Sequence, residues 1–254
     1  VDVVSELRAA GCVFAEEEAT LLLEAATSDS ELVELVTLRV AGLPLEQVVG
    51  WAEFCGRRVY VDPGVFVPRR RTEFLVRRAA EFLLPGATIV VDMCCGCGAV
   101  GAVLQGLAVG VEVPAVDVDH RAVACAGRNL VGGAVYAGDL FDPLPDRLHG
   151  RVDLLVANAP YVPTTQIEFL PAEARLHEPL VALDGGEDGV NVQRRVIAGA
   201  MLWLAPAGRL LIETGEQQAH LTAAAMRAAG LPPSSANDPD LAGTVVVGRS
   251  SRTI

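Results

Sequence analysis

The chain has 254 residues, 51% of them hydrophobic and 20% charged, with a net charge of −12. These values describe a folded protein with a sizeable core, and its acidity lacks the basic footprint of a nucleic-acid binder. All 20 basic residues are arginine, which excludes a P-loop nucleotide site and lysine Schiff-base chemistry. No apolar run is long enough to span a membrane, and no basic start followed by an apolar core marks a secretory leader. Three of the six cysteines (Cys94, Cys95, Cys97) fall within four positions. With no second cluster at ligand spacing, no metal site is expected, and reduced thiols fit a cytoplasmic protein.

Residues 1–43 carry three short helical patterns and form a candidate recognition module. Val3, Val4 and Leu7 mark the first, and the acidic Glu16, Glu17 and Glu18 open the second. Ser28 or Asp29 can cap the third, which Gly42 and Pro44 end. Residues 44–68 read as a β-hairpin linker, with short β runs on either side of Gly56. Thr72 is placed to cap a helix through Phe74, Leu75 and Ala79. Residues 69–254 then alternate strand and helix. Strands are expected at 89–91, 111–116, 135–137, 153–157, 209–212 and 244–247. This alternation predicts an α/β, Rossmann-like doubly wound parallel sheet.

The chemistry collects at the strand ends. After the first strand comes Asp92-Met93-Cys94-Cys95-Gly96-Cys97-Gly98, whose glycines let the backbone approach a ligand at a helix start. Such loops serve several nucleotide-containing cofactors, and Gly96, Gly98 and Gly101 leave NAD open. Asp117 ends the second strand, where a carboxylate can accept from ribose hydroxyls, and Asp139 ends the third. The fourth strand runs into Asn158-Ala159-Pro160-Tyr161. There the Asn158 amide, the Ala159 carbonyl and the flat face of Tyr161 suit a planar NH2 group, either an amide or an exocyclic base amine.

Asn158-Ala159-Pro160-Tyr161 is similar to the Asn-Pro-Pro-Tyr motif of amino-methyltransferases that use S-adenosylmethionine. Leu45-Glu46-Gln47, Val67-Pro68-Arg69, Thr72-Glu73, His177-Glu178-Pro179, 182–189 and Glu213-Thr214-Gly215 widen the likeness. Together they resemble the HemK-like release factor glutamine methyltransferases over about residues 44–248. That resemblance implies a seven-stranded Rossmann-like sheet behind a small helical N-terminal domain. It implies S-adenosylmethionine as cofactor, bordered by Asp92, Met93, Cys94, Cys95, Gly96, Cys97 and Gly98 around its methionine part. Asp117 and Val118 would lie at its ribose, and Asp139 and Leu140 at its adenine. Asn158 would stand beside the reacting methyl group, and Asn158, Ala159, Pro160 and Tyr161 would hold the substrate glutamine.

The implied activity is methylation of a glutamine amide nitrogen in a protein, a peptide chain release factor, by a monomeric enzyme. Three readings share these residues: a nucleic-acid exocyclic-amine methyltransferase, a cofactor-binding protein without activity, and a small-molecule methyltransferase. The chain departs from the family pattern at Cys94, at Ala159 and at Arg70-Arg71, which replace a glycine, a proline and a proline–acid pair. Cys94 would crowd its turn unless its backbone stays in an ordinary region.

Overall fold

Five β-strands in one parallel array give the chain its frame, and one antiparallel strand with a further strand beyond it completes the sheet. The computed structural model describes residues 2–83 and 88–252. The large sheet contains β3 (Thr88–Met93), β4 (Val111–Glu112), β5 (Ala115–Asp117), β6 (Val135–Ala137), β7 (Val152–Ala157), β8 (Leu204–Glu213), β9 (Pro233–Asp238) and β10 (Gly243–Arg249). Its main path runs β6-β5-β3-β7-β8-β10-β9, with β4 paired to β3 off that path. The seven strands of that path match the expected seven-stranded sheet, and β4 is an addition to it. β10 lies antiparallel to both β8 and β9.

Both faces of the sheet are buried, and side chains alternate between them with the two-residue period of a strand. Val90, Leu154, Val156, Leu211 and Val245 join one apolar cluster. Val91, Leu155, Ala157, Leu210, Ile212 and Val246 join the other. The first face is covered by α5 (Glu73–Ala80), α6 (Ala99–Gln105) and α7 (His120–Asn129); the second by α9 (Asn191–Trp203) and α10 (Ala219–Ala228).

Ahead of the sheet, helices Val3–Ala9, Ala15–Ala25 and Asp29–Val40 pack Leu7, Ala19, Leu22 and Val36 into their own cluster. The third is capped as expected, Ser28 Oγ accepting from the Glu31 N–H at 3.2 Å. Buried Arg39 donates to both Glu18 oxygens, at 2.6 and 3.1 Å, and reaches Glu173 in the helix Ala172–His177. Strands β1 (Trp51–Phe54) and β2 (Arg57–Tyr60) form the expected hairpin. Cys55 and Gly56 at its turn have φ of 51° and 69°, the left-handed pair that a two-residue hairpin turn requires.

Three local expectations are corrected, and one strand is added. Residues Leu45–Val49 form a short helix, because Pro44 presets its entry and Gly50, at φ 82°, ends it. The strand expected over 111–116 is two strands, because Pro114 has no N–H to continue the ladder. Its carbonyl still accepts from the Asp92 N–H at 3.0 Å. The added strand is β9, whose Pro-Ser-Ser-Ala-Asn-Asp composition carries no strand signal; it forms at the sheet edge, where proline is tolerated. Finally, Thr72 makes no cap hydrogen bond; its hydroxyl serves the site described next.

Candidate active site

The strand order reverses at β3. The chain first builds outward through β5 and β6, then returns to add β7 and β8 on the other side. A crevice opens at such a reversal, beyond the carboxyl ends of the strands. Here it is a cavity of about 350 Å³. It is lined by Asp92, Met93, Cys94, Cys95, Gly96 and Cys97 after β3, and by Asp117 and Val118 after β5. Asp139 and Leu140 after β6, and Asn158 and Pro160 after β7, complete that wall. The cavity is of the size that holds cofactors and drug-sized ligands.

The loop after β3 is held by its neighbours. Asp117 accepts from the Gly96 N–H at 2.8 Å and from the Asp119 N–H at 2.9 Å, one bond on each carboxylate oxygen. Each oxygen keeps a lone pair for a further donor. Asp92 is 2% exposed and accepts from the Gly101 N–H at 2.8 Å at the start of α6. Burial pushes its pKa up to about 7, against the pull of that N–H. Burial likewise raises Asp117, although the Asp119 and Gly96 N–H groups lower it.

Two expected cofactor residues behave differently from the sequence reading. Gly98 is not on the cavity wall. At φ 76° it packs against α7, and an added Cβ would stand 3.0 Å from Ala126 Cβ. Its absence of a side chain lets helix meet helix. Cys94 has φ 58°, so its backbone occupies the left-handed region after all. Asp139 lines the cavity but is also ion-paired with Arg195 at 2.6 Å.

A second cavity, of about 550 Å³, adjoins the first. Asn158 and Pro160 line both, while Ala159, Tyr161 and Arg69 to Arg71 line the second alone. Asn158 Nδ2 donates to Thr72 Oγ1 at 3.2 Å, which leaves its Oδ1 as the amide's open acceptor. The Tyr161 hydroxyl donates to Glu213 Oε1 at 3.1 Å. Glu213, at the end of β8, is 1% exposed, and its other oxygen has no hydrogen-bond partner. Burial raises its pKa, while the Thr72 hydroxyl, Arg71 and Tyr161 favour the carboxylate.

The segment 182–189 is the buttress behind Tyr161. Val162 N–H donates to the Leu183 carbonyl at 3.0 Å, and Gly185 N–H donates to the Val162 carbonyl at 2.8 Å. A Cβ on Gly185 would lie 2.7 Å from Tyr161 Cα, so only glycine permits this approach. Gln218 Nε2 completes the brace, donating to the Tyr161 carbonyl at 2.8 Å. Glu178 plays a similar part for the entry segment, accepting from Val67 N–H at 3.1 Å and Arg69 at 2.6 Å.

Sequence reasoning did not foresee Val65, Phe66, Pro179 and Val181 on the first cavity, nor Arg195 and Gln218. The proline-bearing apolar runs 65–68 and 179–182 were the available signal. Among the described residues, no group of three or more histidine, cysteine or carboxylate side chains is arranged to hold a metal ion.

Fold and site together define a Rossmann-like α/β protein of the methyltransferase class, with its ligand crevice at the sheet's switch point. The model of the methyltransferase small domain matches residues 57–184. The chain is 39% identical over 189 residues to the release factor glutamine methyltransferase of Geobacter sulfurreducens, covering 73% of this chain and 65% of that one. The Streptomyces coelicolor enzyme of the same name is 36% identical over 195 residues, covering 75% and 69%. A 4-amino-L-phenylalanine/4-methylamino-L-phenylalanine methyltransferase of Streptomyces pristinaespiralis is 36% identical over 203 residues, covering 77% and 69%. A Pyrococcus furiosus methyltransferase of solved structure shares the fold, with a TM-score of 0.58 at 12% identity, covering 88% and 98%. The chain belongs to the release factor glutamine methyltransferase family. It spans just under two thirds of the length of the Geobacter relative.

Proposed function

We propose that the chain transfers a methyl group from S-adenosylmethionine to a glutamine side-chain amide nitrogen in a peptide chain release factor. The observation that carries this reading is the shared wall: Asn158 and Pro160 line both cavities. A planar amide held by Asn158 in the second cavity therefore points toward a cofactor in the first.

The residues present fit that cofactor. The apolar and backbone surfaces of Met93 to Cys97 suit its methionine part, Asp117 retains lone pairs for the ribose, and Leu140 offers an apolar edge for the adenine. S-adenosylmethionine supplies an electrophilic methyl group on a sulfonium. The burden on this chain is the nucleophile, because an amide nitrogen's lone pair is delocalised into its carbonyl. Asn158 Oδ1 and the Ala159 carbonyl accept the two N–H bonds and fix the nitrogen's direction; positioning of this kind contributes up to ~7–11 kcal/mol. The same oxygen dipoles stabilise the positive charge developing at nitrogen. The nitrogen then releases one proton to solvent, having become acidic on alkylation.

The helices before residue 44 serve as a recognition module in this reading, tied to the acceptor cavity by the Arg39–Glu173 pair. Residues 44–68 link it to the catalytic unit, 69–254. The enzyme acts as a monomer in this reading. Six unpaired cysteines support a reducing, cytoplasmic setting. The likeness to an aminophenylalanine methyltransferase supports a second reading, in which the NH2 group belongs to a free amino acid.

The test is Asn158→Ala. It should abolish transfer while leaving S-adenosylmethionine affinity, measured by calorimetry, within about threefold. Retained turnover would remove Asn158 from the mechanism.

A further inference from the structure

Glu213 has no part in the mechanism above, yet it stands directly behind the acceptor grip. The parallel register pairs Ala157 with Ile212, so Asn158 and Glu213 leave neighbouring strands at the same level. The backbone of Glu213 is held on two sides. It pairs with Val245, and Gln193 Nε2 donates to its carbonyl at 3.3 Å. Three groups face its side chain. The Tyr161 hydroxyl donates to Oε1 at 3.1 Å, Arg71 Nε lies 3.6 Å from the same oxygen, and the Thr72 hydroxyl is a further polar neighbour.

A carboxylate is a costly choice for this place. The side chain is 1% exposed, and Oε2 is enclosed with no hydrogen-bond partner among the described residues. Arg71, the cation paired with it, is itself half-exposed, so water weakens the attraction. A neutral side chain of the same length would meet the Tyr161 hydroxyl at lower cost to the fold. The carboxylate therefore answers to something other than stability.

What it supplies is a strong hold on a ring. The Tyr161 backbone is braced by Gly185 and Gln218, but the residue follows Pro160 on a loop, and its side chain turns about two bonds. A hydrogen bond at the far end of the ring fixes both torsions at once. One made to an ionised acceptor is roughly twice as strong as one between neutral groups. The ring is thereby kept at one angle in the acceptor cavity, which Tyr161 lines.

We propose that Glu213 is a positioning residue of the acceptor grip: its carboxylate, anchored on the sheet, fixes the angle of the Tyr161 ring against the acceptor's NH2 group. Glu213 is not on the wall of either cavity, so it acts through Tyr161 and not by contact with the acceptor. The inference rests on the methyltransferase reading above and adds to it the residue that orders the aromatic side of the site.

The experiment uses the whole chain, labelled S-adenosylmethionine and purified release factor. It compares wild type with Glu213→Gln, Tyr161→Phe and the double variant. Glutamine keeps the length of the side chain and an oxygen for the hydroxyl, and removes the charge. It should lower kcat about tenfold, as a charge-assisted hydrogen bond becomes a neutral one, with S-adenosylmethionine affinity within about threefold. Its Tm should stay level or rise, because the buried, unpartnered carboxylate oxygen is gone. Tyr161→Phe removes the same bond from its other end and should lower kcat to a similar extent. The double variant should be no more than about twofold slower than Tyr161→Phe alone, because the hydroxyl through which Glu213 acts is then absent. A glutamine variant within about twofold of wild type, one whose Tm and rate fall together, or losses that multiply in the double variant overturn this inference alone. Wild type that binds S-adenosylmethionine and methylates no release factor overturns the underlying reading and this inference with it.

Discussion

Thr72→Val tests the least obvious part of the site. Thr72 is 2% exposed, and its Oγ1 receives the Asn158 Nδ2–H at 3.2 Å. Valine keeps the branched shape and removes the acceptor. The Asn158 N–H is then left without a partner, a loss of about 1–3 kcal/mol for a buried polar group. The amide also becomes free to turn, so that N–H instead of Oδ1 faces the acceptor's NH2 group. If that loss falls on the transition state, kcat/KM for the acceptor drops roughly 10–100-fold, since ~1.4 kcal/mol is one decade in rate. Initial rates at saturating cofactor measure it, with calorimetry to confirm that S-adenosylmethionine affinity moves by less than about threefold. Thr72→Ser restores the hydroxyl and should restore most of the rate. A valine variant within twofold of wild type would refute the anchoring role.

Other predictions follow from strain and charge. Replacing Cys94 by glycine removes a side chain at φ 58°, where an L-residue costs about 1–2 kcal/mol. Part of this gain is offset by the freer unfolded chain, so Tm should rise by about 2 °C; a lowered Tm would show that thiol packing outweighs the strain. Asp92, with its pKa raised from 3.8 to about 7, holds a proton in the folded state that the unfolded chain has released. Its favourable contribution is therefore full below pH 3.8 and is lost as pH rises through about 7. Asp92→Asn keeps an acceptor for Gly101 and removes this dependence. The drop in Tm between pH 5 and pH 8 should be smaller in the variant, whereas an unchanged drop would contradict the buried, protonated carboxyl. Asp117, Glu178 and Glu213 are also raised by burial, but they are common to both proteins and cancel in the comparison.

The sheet was legible because its strands are apolar runs of the right length, each ending in a polar residue at the ligand side. Asp92, Asp117, Asp139 and Asn158 could be placed on one edge from that pattern alone, and they do line one cavity. What the pattern hid was set by partners distant in sequence. Thr72 reads as a helix cap because the residue type and position suit one, yet its hydroxyl is claimed by an amide 86 residues away. Glu213 reads as a strand end, and only folding brings it to Tyr161, 52 residues earlier. The split of β4 from β5 was visible in Pro114, whose missing N–H outweighs the β propensity of its neighbours. Strand β9 was not visible, because its pairing with β10 comes from tertiary context and not from its own residues.

The central claim is that this chain methylates an amide nitrogen across the wall formed by Asn158 and Pro160. Its most direct test is incubation with deuterated-methyl S-adenosylmethionine and purified release factor, followed by tandem mass spectrometry. The account predicts one added methyl group, localised to the side-chain nitrogen of a single glutamine and missing with the Asn158→Ala chain. A release factor recovered unmodified, from a reaction in which the chain binds the cofactor, would contradict it.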